Sequence, residues 1–112
     1  MGKKSGFSHW IHQRITAFMM VILLFWIVYF VYMMNNYSTS EFINQLNNLF
    51  NMLMFVITCF VLLYHSSLGM VVIIEDYINN IYIRYVTILL VRLISVVTVI
   101  ALIISLRNIY IL

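Results

Sequence analysis

The chain has 112 residues, 65% of them hydrophobic and only 8% charged, with a formal net charge of +3. A soluble domain of this length could not hide so much apolar surface in its core, so an integral membrane protein is expected. The basic excess is too small and too scattered for nucleic acid to be a partner.

The chain opens on the basic stretch MGKKSGFSHWIHQR, followed by an apolar run from Ile15 to Met34. That run is longer than the core of a signal peptide and no A-x-A cleavage pattern follows it, so a retained helix is expected. Myristoylation of Gly2 is not expected, because Gly6 stands where the motif needs Ser or Thr. Two more runs, about Leu49–Ile74 and about Tyr85–Leu106, also exceed the roughly 20 residues a helix needs to cross a bilayer. Lipid offers the backbone no hydrogen-bond partners, so the expected fold is all-α, one membrane domain over 1–112 with three transmembrane helices. The first link, NNYSTSEFINQLNN, is polar and holds no Lys or Arg, while the second, EDYINNIYIR, is short and charged.

Lys3, Lys4 and Arg14 precede the first span and Arg84 closes the second link. The positive-inside rule then puts the N-terminus inside and the C-terminus outside, with Arg107 pointing weakly the other way. Trp10, Tyr77, Tyr82 and Tyr85 fall near the inner interface and Tyr37 and Tyr110 near the outer one, as an aromatic belt would.

His65 is the residue that asks for a function. It lies roughly 13 Å from the inner end of the second span at 1.5 Å per residue, where ionisable side chains are rare and usually functional. It reads as a metal or haem ligand, as a step in a proton relay, or as a neutral ring hydrogen-bonded to a neighbouring helix. Gly69 and Ile73 follow on the same face, and Asp76 is three turns on with about 20° of residual rotation, making one stripe to the inner surface. A gap at Gly69 would admit a flat macrocycle. Zinc would need further ligands at this depth, where Cys59 is the only obvious candidate on the same helix. Cys59 alone can neither hold an iron–sulfur cluster nor close a disulfide within the chain. His9 and His12 precede the first span and are expected at the interface, so a second histidine ligand for a haem would come from another chain.

Glu75 and Asp76 end a helix where the macrodipole disfavours negative charge, and read either as a solvated turn paired with Arg84 or as a proton-handling network. Tyr77 adds a phenol at that level, a good donor to a carbonyl oxygen. Arg14 begins the first span, and snorkelling to phosphate would account for it. Arg92 lies roughly 10 Å deep, near the level of His65, and should face a protein neighbour or an anion, or snorkel inward.

HWIHQRITAF at the first of three spans, and HSSLGMVVIIEDY closing the second with Arg84 eight residues after Asp76, closely resemble the small D-type membrane anchors of succinate dehydrogenase, respiratory complex II. The H-x-x-x-G-x(6)-D-Y spacing is the specific part. This resemblance implies a membrane base formed with a larger cytochrome b anchor subunit, with haem b held between one histidine from each. It implies a flavoprotein subunit and an iron–sulfur subunit docked on the inner face, and no activity from this chain alone. Carried over by position, His65 is the haem axial ligand, Arg14 contacts a haem propionate, and Asp76 with Tyr77 belongs to the ubiquinone site. Alternatives are a fumarate reductase anchor, another membrane cytochrome b subunit, or a small proton-conducting subunit using His65, Asp76 and Arg92. The abundance of Ile, Asn, Tyr, Phe and Met suggests an AT-rich genome, which points to the mitochondrial inner membrane, with the cytoplasmic membrane of an alphaproteobacterium as the alternative.

Overall fold

The computed structural model describes residues 3–111, with side chains described for 6–109. Gly2 lies outside the described residues, as do the side chains of Lys3, Lys4 and Tyr110. Four helices follow in order: α1 Lys3–Met34, α2 Thr39–Leu46, α3 Leu49–Tyr77 and α4 Ile81–Ile111. Three of them, α1, α3 and α4, are long and apolar enough to cross a membrane. The chain is an all-α integral membrane protein.

Each long helix extends past the apolar run that marks it. At 29 residues α3 is roughly 44 Å long, against a hydrocarbon core of roughly 30 Å. Nothing in these sequences breaks the backbone ladder where hydropathy falls, so the helix continues into the interface. On α1 this matters most, because His9, His12 and Arg14 lie on the helix itself and not on a loop before it.

The first link holds a helix that hydropathy does not announce. Ser38 caps α2: its hydroxyl accepts from the Glu41 backbone N–H, while the Ser38 N–H donates to Glu41 Oε2 at 2.7 Å. This reciprocal pair is the S-x-x-E capping box, legible in STSE. The Ser38 N–H and hydroxyl, both donating to the carboxylate, hold Glu41 below the ordinary carboxylate range. Leu46 at the end of α2 is buried, and Phe42 packs on Phe30 with ring centroids 6.0 Å apart. Asn48 and Asn80 cap α3 and α4 by accepting from backbone N–H groups of the first turn. The turn after α3 is closed by Arg84, whose Nε donates to the Ile78 carbonyl at 2.9 Å.

Helix α3 is central, packing against both α1 and α4. The buried positions of α1 are Thr16, Leu23 and Phe30, a seven-residue spacing that makes one seam against α3. On α3 the buried positions are Val61, Val71 and Ile74. Most other apolar side chains face outward, as they can in a helix whose solvent is lipid or a partner helix.

Candidate functional site

The α1–α3 seam is apolar except at one level. Thr16 is 7% exposed and is the one polar residue among the buried side chains described. Its hydroxyl donates back along its own helix to the His12 carbonyl at 2.8 Å, with the Gln13 carbonyl at 3.1 Å. Across the seam, Thr16 Oγ1 lies 2.9 Å from Nδ1 of His65. Packing α1 against α3 therefore places the mid-span histidine opposite the only buried hydroxyl described, leaving Nε2 without a hydrogen-bond partner among the described residues.

Around His65 the surface is permissive. A Cβ added to Gly69 would meet nothing within 4 Å, so the turn below the histidine is open. Ile73 and Asp76, further along the stripe, are exposed. Toward the other end of α3, a cavity of about 330 Å³ is bounded by His65, Thr58 and Leu62 on α3 and by Ala17, Val21 and Leu24 on α1. Among the described residues no group of three or more His, Cys, Asp or Glu is placed to hold a metal ion. A lone imidazole with one nitrogen hydrogen-bonded and the other free, beside an open glycine, fits an axial haem ligand better than a structural metal site.

The other predicted site residues are spread along the molecule. Asp76 and Tyr77 end α3, about 12 residues or roughly 18 Å from His65 along the axis, and Tyr77 is 82% exposed. Arg14 is exposed, its guanidinium carbon 5.6 Å from the Trp10 ring centroid, one turn back on α1. It is two positions before Thr16, about 200° around the helix, so Arg14 leaves α1 on the side away from the seam.

The remaining histidines lie on α1 beside α3, and Arg92 lies on α4. His12 is exposed but reaches the seam, its Nδ1 2.6 Å from the Ser8 carbonyl oxygen and its ring edge-on to Tyr64 at 6.4 Å. His9 is half-buried, and its Nε2 is shielded without a hydrogen-bond partner. It lines a cavity of about 600 Å³ between α3 and α4 that also takes in Tyr64, Ser67, Arg92 and Ser95. Arg92 thus faces a groove beside the central helix. Sequence reasoning did not single out Thr16, which looks like any threonine in an apolar run until the register of α1 on α3 is known.

These features define a three-span membrane subunit whose central helix carries one hydrogen-bonded histidine at mid-length. The chain belongs to the family of succinate dehydrogenase/fumarate reductase transmembrane subunits, which residues 1–102 match. It is 37% identical over 102 residues to the succinate dehydrogenase hydrophobic membrane anchor subunit of Rickettsia typhi, covering 91% of this chain and 82% of that one. The protein of that name from Rickettsia bellii is 38% identical over 102 residues, with the same shares covered. The succinate dehydrogenase membrane anchor subunit of Reclinomonas americana is 34% identical over 97 residues, covering 83% of this chain and 80% of its own. No solved structure matches the chain.

Proposed function

We propose that this chain is the small membrane anchor of a succinate dehydrogenase, supplying His65 as one axial ligand of a haem b shared with a larger cytochrome b anchor subunit. The observation that carries the reading is the His65 ring, held at Nδ1 by Thr16 and free at Nε2. When bound, the haem supplies a one-electron store within the membrane. Arg14 is the nearest interfacial cation on α1, and its long side chain serves a propionate if it turns from Trp10. The curated relatives named succinate dehydrogenase favour this reading over a fumarate-reducing one.

Tyr77 donates its phenol proton to a ubiquinone carbonyl at the inner end of α3, where reduction builds negative charge on the oxygen it contacts. Asp76 orients that donor or a nearby cation, because a carboxylate aimed at the oxygen would repel it. The catalytic flavoprotein and the iron–sulfur subunit dock on the same inner side, and the membrane is a respiratory one, bacterial or mitochondrial. Purified complex carrying His65→Ala tests the proposal. Loss of the low-spin haem spectrum is expected there, with no change in His9→Ala or His12→Ala. An unaltered spectrum in His65→Ala would sink it.

A further inference from the structure

We propose that Thr16 is the positioning residue of His65, setting its tautomer so that Nδ1 carries the proton and Nε2 presents its lone pair. The inference rests on His65 being the haem ligand, as proposed above, and adds what holds that ligand in readiness.

The argument is a count of protons. A threonine hydroxyl has one to give. Thr16 Oγ1 sits 2.8 Å from the His12 carbonyl oxygen, the ordinary back-bond of a helical threonine to the residue four before it. Two oxygens that close with no proton between them would repel, so the Thr16 proton lies on that contact. The hydroxyl is then an acceptor toward His65, and Nδ1, 2.9 Å away, must be the donor. A neutral imidazole has a single N–H. With that proton on Nδ1, Nε2 is left as a bare lone pair, the form that binds iron.

The surroundings reinforce the assignment. Thr16 stands in the buried seam of α1, where lipid offers a ring N–H no acceptor of its own. Metal-bound histidines almost always donate their other ring N–H to a carbonyl, carboxylate or water, which fixes the ring and raises its basicity. Here the acceptor is a hydroxyl already polarised by its own bond to the His12 carbonyl. The partner comes from the first helix and the ligand from the third, so docking of α1 onto α3 readies the ligand.

The test uses the assembled complex with Thr16→Val, which keeps the shape and removes the hydroxyl, and Thr16→Ser, which restores it. Haem retention is read by transfer to apomyoglobin, and ring orientation by the largest g-value of the low-spin ferric signal. Thr16→Val should release haem about ten- to a hundredfold more readily and shift the g-value, while Thr16→Ser returns both toward the starting protein. Thr58→Val, which removes a similarly back-bonded hydroxyl from the cavity that His65 lines, should change neither. Starting-protein haem retention and g-value in Thr16→Val would overturn the inference if His65→Ala has lost its low-spin haem. If His65→Ala keeps that haem, the ligand assignment itself falls. Failure of both Thr16→Val and Thr16→Ala to assemble would also overturn it, since the hydroxyl would then serve the fold and not the ring.

Discussion

Removing the Thr16 hydroxyl should destabilise the α1–α3 pair more than removing the imidazole it meets, even without haem. Thr16→Val strands the His65 Nδ1–H, 2.9 Å from a methyl that cannot accept it. A stranded polar group costs about 1–3 kcal/mol. His65→Leu strands nothing, because the Thr16 proton stays on the His12 carbonyl. The double variant should therefore resemble His65→Leu. Interhelical hydrogen bonds in a membrane couple by about 0.6 kcal/mol on average and about 1.7 at most. With Thr16 only 7% exposed, the upper half of that range is expected. A double-mutant cycle on the full chain in bicelles, with α1–α3 separation followed by steric trapping, measures it. Additive costs within about 0.3 kcal/mol, or a larger loss in His65→Leu than in Thr16→Val, would refute the proton count.

Tyr77→Phe should slow quinone reduction about ten- to a hundredfold, the cost of a donor worth about 1.5–3 kcal/mol, and leave the haem spectrum alone; unchanged quinone kinetics and inhibitor profile would return Tyr77 to the aromatic belt. With Cys59 replaced by Ser, a cysteine at position 5 should label from the inner side and one at position 38 from the outer. The reverse pattern would invert the topology. Glu41 is held below its ordinary value of 4.5, so its contribution to α2 is complete above that value and is lost as pH falls through the lowered one. Amide protection factors in α2 should drop in acid, and Glu41→Gln should abolish that dependence; an equal drop in Glu41→Gln would assign it elsewhere.

The spans, the mid-span histidine and the open stripe through Gly69 were legible because each is written in one segment. Hydropathy marks where a helix meets lipid, and a ligand-type ring in that stretch announces itself by its cost. Helix ends were less legible, since hydropathy stops at the interface and hydrogen bonding does not: α1 carries His9, His12 and Arg14 as helical residues. The S-x-x-E signal for α2 was available in STSE, hidden only by the polarity of its surroundings. Thr16 could not be found that way. Its role exists only in a helix register that joins two residues 49 positions apart in sequence, which no local pattern encodes.

That register is fastened at two levels. At mid-length Thr16 meets His65, and toward the far end of α1 Phe30 meets Phe42 of the short helix that leads into α3. A helix pair fixed at two separated points cannot slide by the roughly 5.4 Å of one turn without losing both. A thinner or thicker bilayer must then be met by tilting α1 and α3 together. The height of the imidazole relative to α1 is thus a property of the protein and not of the lipid. The pair acts as a ruler, carrying the ring's setting unchanged between membranes of different thickness.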